Sequence, residues 1–416
     1  MRIAVFSHYY LPEIGAPSAR IGDFAAQWLA QGHEVHVATC FPNHPTGIVY
    51  PGYETSWYLE ESLRGVRVHR SWSYITPNKG FVKKSLGHAA FWLSSSLITK
   101  ARMPAPACAI GTSPTFFAAM AARACARRHR VPFIMEVRDL WPAIFVDLGV
   151  IRNKRIIRLL ERWELWLYRS ASRIVTVTEA FRQNLISRGV PAEKVVTITN
   201  GADTDYWIYQ PDGARRLREQ LQLGDKTVVL YIGAHGISQG LGAILDAAEK
   251  TRTRKDIEYV FVGEGADKDT LVKRAQSRRL ENVRFLGAVG KDQVRDFYSM
   301  ADVCLVPLRN IPLFDTFIPS KMFEIMAVGR PILASVRGEA ADILRSSGAA
   351  WVVDPENSPA IAAGVCALAD DRARGGLMAV SGRDFVRRAY SRRELARRYL
   401  ETIADARQAM GLGVEK

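Results

Sequence analysis

The sequence predicts an α/β protein with two Rossmann-like, doubly wound domains, and three observations lead to this expectation. Short apolar runs alternate with helical patterns along most of the chain, as in parallel sheets whose strands are connected by helices. The chain has 416 residues, which is long for one hydrophobic core. The alternation starts again after a polar stretch with a proline at 203–213, so we place the domain boundary there.

The first domain is assigned to residues 1–205. Its apolar runs are expected to form strands at 3–6, 35–38, 107–110, 132–136 and 173–177, and its helical patterns lie at 21–29 and from Phe116 and Ala180 onward. The second domain is assigned to residues 214–385. Its strands are expected at 227–232, 258–262, 283–286, 303–306 and 331–334. A helix over 383–409 packs on the second domain or crosses back to the first, so residues 386–416 are kept apart as a helical segment.

The formal net charge of +15 indicates an anionic partner: nucleic acid, an anionic lipid surface or a phosphorylated substrate. The chain lacks zinc-ligand spacing and the aromatic and basic motifs of common nucleic-acid modules, which argues against nucleic acid. The five scattered cysteines are expected to be reduced core residues. The pattern of a secretory leader is not seen before the first predicted strand. We therefore expect a cytoplasmic protein without a metal site.

One apolar stretch, at 86–98, is flanked by Lys and Arg residues. No stretch reaches the roughly 18 uninterrupted apolar residues that a spanning helix needs. The stretch at 86–98 either lies on a membrane surface or forms a core helix with basic flanks.

The most informative segment lies at 318–333. Pro319 and Ser320 predict a helix start, with the Ser320 hydroxyl accepting from a free amide, and Gly329 predicts the helix end. Lys321 and Glu324 are three residues apart and therefore share a face of this helix. A cation and a carboxylate at the positive end of a helix suit a diphosphate beside a sugar hydroxyl.

Two glycine-bearing loops follow predicted strands. In the loop at 233–240, Gly233, Gly236 and Gly240 suit backbone contact with phosphate, but the spacing matches neither a P-loop nor a dinucleotide fingerprint. This disfavours ATP hydrolysis and NAD binding. His235 either donates to a sugar or phosphate or is a loop histidine, and Gly15 either lets a ligand approach the backbone or forms an ordinary tight turn.

Five motifs in this order resemble the GT-B glycosyltransferases of family 4, and most of all the bacterial surface-polysaccharide branch with fucosaminyl and colanic-acid transferases. The motifs are YLPEIGA at 10–16, FPNHPTG at 41–47, RDLWP at 138–142, TNGAD at 199–203 and PSKMFE at 319–324. The resemblance spans nearly the whole chain and implies the GT-B arrangement, in which two Rossmann-like domains face each other across a cleft.

The resemblance also implies the reaction. It implies retaining, metal-independent transfer from a nucleotide-sugar, a UDP-sugar in preference to a GDP-sugar, to a polyprenyl-diphosphate-linked saccharide, with no cofactor. The donor would bind the second domain and the acceptor the first. The protein would work at the inner face of the cytoplasmic membrane and associate peripherally with the anionic surface of that membrane.

The resemblance implies a role for Glu324. It matches the later glutamate of the family's E-x7-E motif and would hold the nucleotide ribose. The earlier glutamate would fall at Thr316, so its contact with the donor sugar is missing or has passed to Thr316 or Asp315. A lysine that often precedes the loop glycine is replaced by Gln239, so Lys321 is the expected compensating cation. Donor-side residues are Gly15, Gly233, His235, Gly236, Gln239, Glu264, Thr316, Ser320, Lys321 and Glu324. Catalytic residues are Arg138, Asp139 and Lys321, and acceptor-side residues are His44 and Trp141.

Some of these roles have structural alternatives. Asp139 either orients the acceptor or is a structural carboxylate at a strand end, Glu264 either reaches the donor or forms a turn, and Trp141 either walls the acceptor pocket or packs between domains. Two other functions share the architecture: a non-hydrolysing sugar-nucleotide epimerase and a catalytically silent GT-B binding subunit.

Overall fold

A computed structural model describes residues 1–13, 15–44, 46–76, 81–113, 116–140 and 153–413. The chain forms two compact units: Met1–Thr199 together with Leu395–Lys416, and Asn200–Glu394. The boundary therefore lies before the predicted one at 203–213. That stretch is part of the second unit, because the Asp203 carboxylate accepts from the amides of Asp205 (3.0 Å) and Tyr206 (3.2 Å) and Trp207 is buried.

Within the described residues, the first unit has one sheet of eight strands. They are β1 (Arg2–Phe6), β2 (Glu34–Cys40), β3 (Tyr58–Leu63), β4 (Val66–Ser71), β5 (Cys108–Thr112), β6 (Phe133–Val137), β7 (Arg173–Thr176) and β8 (Val195–Thr197). Their order is β3-β4-β2-β1-β5-β6-β7-β8. The five predicted strands are confirmed, whereas β3, β4 and β8 were missed. The antiparallel pairing of β3 with β4 corrects the expectation of a parallel sheet.

Helices cover both faces of this sheet. They are α1 (Ala16–Ala30), α2 (Phe81–Arg102), α3 (Phe116–His129), α4 (Lys154–Ser170) and α5 (Glu179–Ser187). Alternate residues of β1 show the two apolar layers: Ile3 and Val5 pack with Phe24 of α1, whereas Ala4 and Phe6 belong to the layer that contains α3 and α4. The carboxyl ends of the parallel strands are thereby held in fixed positions.

A buried histidine pair in β2 and β4 gives a prediction about pH. His36 Nδ1 lies 2.9 Å from His69 Nε2, and burial lowers the pKa of both rings, that of His69 to about 4. Because the unfolded chain binds these protons near pH 6.5 and the folded chain does not, the free energy of unfolding is expected to fall by about 2–3 kcal/mol from pH 6.5 to pH 4. Urea unfolding at several pH values checks this. A His69→Gln variant serves as the control, and an equal acid slope in that variant would contradict the assignment.

The second unit has a parallel sheet. Within the described residues its strands are β9 (Thr227–Ile232), β10 (Ile257–Val262), β11 (Val283–Leu286), β12 (Val303–Pro307), β13 (Ile332–Ser335) and β14 (Ala350–Val353), in the order β11-β10-β9-β12-β13-β14. The five predicted strands are confirmed and β14 was missed. The fold class, two Rossmann-like α/β units, is confirmed.

The remaining helices continue along the chain. They are α6 (Pro211–Gln220), α7 (Leu241–Lys250), α8 (Lys268–Ser277), α9 (Lys291–Met300), α10 (Lys321–Val328), α11 (Gly338–Ser347), α12 (Ser358–Asp370), α13 (Arg372–Ala389) and α14 (Arg392–Gln408). The single helix predicted over 383–409 is therefore two helices. From Leu395 onward α14 packs on the first unit, where the Tyr399 ring lies 5.4 Å from the rings of Phe24 and Trp28.

The stretch at 86–98 lies within α2. Phe91 and Ile98 are buried, whereas Leu86, Leu93 and Leu97 are exposed, so one side of the helix is core and the other faces solvent. Among the helices in the described ranges, none combines the length and the apolar character that crossing a bilayer demands. The five cysteines are free thiols, and four of them are buried.

Candidate functional site

The candidate donor site of the second unit is built from glycine turns at the carboxyl ends of β9 and β10. Gly233 and Gly263 both have positive φ, 144° and 139°. A Cβ on Gly263 would lie 2.0 Å from the Gly233 carbonyl oxygen, and a Cβ on Gly265 would lie 2.4 Å from the His235 oxygen. The two turns are packed backbone against backbone, which glycine alone permits.

Replacing Gly265 by Ala is expected to destabilise the second unit by about 1–3 kcal/mol, because the new methyl group overlaps main-chain atoms that cannot rotate away. It would meet the oxygen, carbon and nitrogen of His235 at 2.4, 2.5 and 2.7 Å. Urea unfolding measures the change. The matched control is Gly376→Ala in α13, where a Cβ meets no atom within 4 Å and should stabilise the helix slightly. Equal stability of both variants would show that the two turns are not tightly packed.

His235 is fully buried under this turn. Its ring centroid lies 5.8 Å from that of Tyr231 and 6.1 Å from that of Phe285. Its amide donates to the Glu264 carbonyl oxygen, and its own carbonyl oxygen accepts from the Asp267 amide, both at 2.9 Å. Burial lowers the pKa of the ring. Among the described residues neither ring nitrogen has a hydrogen-bond partner, so the ring does not itself satisfy the turn, and both alternatives for His235 stay predictions.

The rest of the glycine loop leads into α7. Residues 237–239 form a short 3₁₀ turn, and Gly240, in the left-handed conformation with φ 60°, immediately precedes α7. The Gln239 side-chain oxygen accepts from the Ser238 hydroxyl at 3.0 Å, and a Cβ on Gly236 would lie 2.9 Å from it. Gly236 and Gln239 thus lie together in the turn before the helix amides.

Lys321 lies directly against this loop. Its Nζ donates to the Ile232 carbonyl oxygen at 2.8 Å and lies 4.1 Å from the centroid of the Tyr231 ring. A Cβ on Gly233 would lie 2.6 Å from the same nitrogen. Burial lowers the pKa of Lys321 to about 8. The predicted cation and the predicted phosphate loop, 88 positions apart, are therefore in contact.

Glu324 lies one turn further along α10. Its Oε2 accepts from the Tyr298 hydroxyl at 3.3 Å. Burial raises the pKa of the Glu324 carboxyl group, while the positive charges of Arg392, Lys321 and Lys291 lower it. Sequence reasoning missed Tyr231, Tyr298 and Arg392, since nothing in their local sequence marks them as neighbours of α10.

The sequence prediction is correct for the end of α10 and wrong for its start. The stop at Gly329 is confirmed: φ is 76° and its amide donates to the carbonyl oxygens of Ile325 and Met326. The Ser320 cap is wrong, because Ser320 has helical φ and ψ and its side chain makes no capping hydrogen bond. Ser320 instead accepts through its carbonyl oxygen from the Phe323 amide at 3.1 Å. The backbone is therefore already helical at Ser320, where a capping residue would be extended.

Two further predicted donor residues make local contacts. The Thr316 hydroxyl donates to the Leu313 carbonyl oxygen at 2.8 Å, within a 3₁₀ turn at Pro312–Thr316. Glu264 is exposed beside the glycine turns and pairs with Lys268 at 2.7 Å, a hydrogen bond that lowers the pKa of Glu264. These contacts leave acceptor capacity on both side chains, so both roles toward the donor stay predictions.

In the first unit, Gly15 and His44 lie together. A Cβ on Gly15 would lie 3.9 Å from the His44 ring. The buried Glu13 carboxylate joins the two loops, accepting from the amides of Tyr10 (3.2 Å), Asn43 (2.7 Å) and His44 (2.9 Å). Burial raises the pKa of Glu13. Glu13 belongs to the YLPEIGA motif, but only the structure shows that it connects the two loops.

Arg138 and Asp139 follow β6. Their amides donate to the Ser113 hydroxyl at 2.7 and 3.3 Å, and Ser113 follows the neighbouring strand β5. Burial raises the pKa of the Asp139 carboxyl group. Trp141 lies outside the described residues. Among the described residues, no three His, Cys, Asp or Glu side chains are grouped as metal ligands.

Known proteins provide three comparisons. The chain is 28% identical over 374 residues to the putative colanic acid biosynthesis glycosyl transferase WcaI of Escherichia coli K12, covering 88% of this chain and 91% of that protein. Sucrose-phosphate synthase from Thermosynechococcus elongatus superimposes with a TM-score of 0.76 at 16% identity, covering 98% and 99% of the two chains. HepE from Anabaena, solved in complex with UDP, has a TM-score of 0.69 at 15% identity, covering 97% and 99%.

Two family descriptions together span most of the sequence. Residues 15–201 match the glycosyl transferase 4-like domain, and residues 214–381 match glycosyl transferases group 1. Each match falls on one Rossmann-like unit, and the second contains both the glycine loop and Lys321. The chain therefore belongs to the GT-B glycosyltransferases of family 4 and is a glycosyltransferase.

Proposed function

We propose that this enzyme transfers a sugar, with retention of configuration, from a nucleotide-sugar to a polyprenyl-diphosphate-linked saccharide in bacterial surface-polysaccharide biosynthesis. The observation that carries the proposal is the contact between Lys321 and the glycine loop. It places a cation beside a glycine-bearing loop that leads into the start of α7, which suits a diphosphate leaving group. The name of the E. coli relative, a colanic acid biosynthesis transferase, supports the pathway class.

In the proposed mechanism the bond between the sugar's anomeric carbon and the diphosphate oxygen breaks, and the nucleoside diphosphate gains negative charge. Lys321 stabilises that charge from beside the glycine loop. The Gly233 amide does not take part, because it donates to the Val262 carbonyl oxygen at 2.9 Å. The acceptor hydroxyl attacks the same face of the sugar, and its proton passes to the departing phosphate oxygen, so the reaction needs neither a metal nor a cofactor. Glu324 holds the ribose, and Asp139 of the first unit orients the acceptor.

The donor is proposed to be a UDP-sugar rather than a GDP-sugar. Support comes from HepE, which was solved in complex with UDP. We further propose that the enzyme works in the cytoplasm at the inner face of the membrane, because a polyprenyl diphosphate is anchored there and the chain carries a net charge of +15.

A thermal-shift screen with UDP, GDP and their sugar conjugates tests the donor, since a ligand of the folded state raises the melting temperature by mass action. Incubation of the preferred nucleotide-sugar with a synthetic polyprenyl-diphosphate saccharide, followed by NMR of the anomeric proton, then tests transfer and retention. A new epimer without acceptor would instead establish the epimerase, and binding without turnover over an acceptor panel would establish the silent subunit.

A further inference from the structure

Helix α4 of the first unit carries an exposed apolar stripe. Ile156, Leu159 and Trp166 are exposed to 48%, 66% and 42%. Together with the half-buried Trp163 they are spaced at i, i+3, i+7 and i+10, which places them on one side of a helix. Large apolar side chains grouped on a surface in this way mark an interaction site.

Trp163 borders the core, since its ring lies 5.0 Å from that of Phe116 and 5.9 Å from that of Phe117. The exposed residues of the stripe, Ile156, Leu159 and Trp166, are not part of the face that anchors α4 to its own unit. That face is formed by Glu164, Leu167 and Tyr168, which are buried. The Tyr168 hydroxyl donates to the Glu164 carboxylate at 2.7 Å, and Glu164 also pairs with Arg188. The helix is therefore held by a second, satisfied face, and its stripe is left for a partner.

The charges next to the stripe identify that partner. Five basic residues of α4 are exposed: Lys154, Arg155, Arg158, Arg162 and Arg169. The helix has two acidic residues, the half-buried Glu161 and the buried Glu164. The Arg123 guanidinium lies over the Trp166 ring at 4.3 Å and adds a further cation to the stripe. Apolar side chains that include tryptophan, bordered by a row of arginines, are the pattern of helices that lie in a membrane interface.

We propose that α4 binds an anionic membrane surface, with Ile156, Leu159 and Trp166 inserted among the lipid chains and the arginines on the phosphate headgroups. Helix α2, the segment favoured by sequence reasoning, has exposed leucines as well. In the sequence the cations of α2, Lys83, Lys84, Lys100 and Arg102, stand at its two ends, whereas those of α4 are spread along the helix. The inference rests on the membrane location given under the proposed function and names the surface that binds there; it is independent of the transfer reaction, because vesicle binding requires neither donor nor acceptor.

Vesicle sedimentation with the full-length chain tests the proposal. Wild-type protein should bind phosphatidylglycerol vesicles more strongly than phosphatidylcholine vesicles, and less strongly as salt is raised. A triple variant, Ile156→Ser with Leu159→Ser and Trp166→Ser, should bind at least about tenfold more weakly. So should Arg158→Gln with Arg162→Gln. The matched control is Leu377→Ser with Val380→Ser on α13 of the second unit, where both residues are also exposed, at 73% and 51%; it should bind like wild type.

The melting temperature and the mass by light scattering distinguish membrane binding from a stripe that is covered by protein. If another part of the chain or a second copy covers the stripe in solution, the triple substitution would lower the melting temperature or change the mass measured by light scattering, and vesicle binding would persist. That result, or equal binding of wild type and triple variant, overturns the proposal. The thermal shift caused by nucleotide should be unchanged in the triple variant, so failure of vesicle binding leaves the proposed reaction intact.

Discussion

Replacing Lys321 by Met is expected to lower kcat/KM for sugar transfer about 10²–10³-fold, because the side-chain length remains while the cation that stabilises the leaving diphosphate is lost. The cation is held by the Ile232 carbonyl oxygen and the Tyr231 ring, so its position is set before substrate arrives. Initial rates of nucleoside diphosphate release, measured with donor and acceptor, give the value. The fold should remain, with about 1 kcal/mol lost from the free energy of unfolding.

Two related variants sharpen this prediction. Lys321→Ala should lose as much activity as Lys321→Met, since both lack the charge. Tyr231→Phe is a matched control, because it keeps the ring under the ammonium group and removes only a hydroxyl that donates to the Ala234 carbonyl oxygen. Wild-type rates in both Lys321 variants would show that the diphosphate binds elsewhere.

The pKa of Lys321 leads to a pH dependence with a definite sign. Burial lowers that pKa to about 8, so the free enzyme loses the cation as pH rises through this value. The profile of kcat/KM, which reports the free enzyme, should therefore fall on the alkaline side of pH 8. In Lys321→Arg the charge persists to much higher pH, so the alkaline fall should disappear from whatever activity remains.

Replacing Glu324 by Ala is expected to weaken nucleotide binding about 10²-fold, because a half-buried carboxylate that accepts from ribose hydroxyls forms charge-assisted hydrogen bonds. Its Oε2 is already positioned by the Tyr298 hydroxyl. Isothermal titration with UDP measures the loss. Glu324→Gln keeps the shape and should lose less affinity than Glu324→Ala.

A nucleotide without ribose hydroxyls provides the decisive control for Glu324. If the carboxylate contacts the ribose, 2′,3′-dideoxy-UDP should bind the wild type and Glu324→Ala with similar affinity, because the lost contact is the same in both cases. Fully additive losses would contradict the ribose assignment. Because burial raises the pKa of Glu324, binding to wild type should also weaken as pH falls toward the acidic range, where the carboxylate is protonated.

Several features of the fold could be predicted because their signals are local. The ten predicted strands are short, buried apolar runs such as Thr227–Ile232, and the end of α10 is marked by Gly329 in the left-handed conformation. The strand β3 was missed because Tyr58–Leu63 lies at the sheet edge with mostly polar side chains, so its apolar signal is weak.

The candidate site could be predicted only in part. Lys321, Glu324 and the glycine loop were found from residue type and spacing. Their mutual contact was not visible, and neither was the role of Tyr298, which reaches Glu324 from another helix. The Ser320 cap failed because sequence preference cannot tell a cap from a first helical residue when the backbone has already turned.

The sequence by itself determined most element types, the two-domain architecture and the glycosyltransferase family. The reason is that apolar periodicity, glycine turns and motif order depend on residues that are close together in the chain. Only the tertiary structure decided that the Lys321 ammonium group rests on the Ile232 carbonyl, that α14 from Leu395 packs on the first unit, and that α4 leaves an apolar stripe in solvent. Such contacts depend on which distant segments a sheet brings together, and on which face of a helix the core covers.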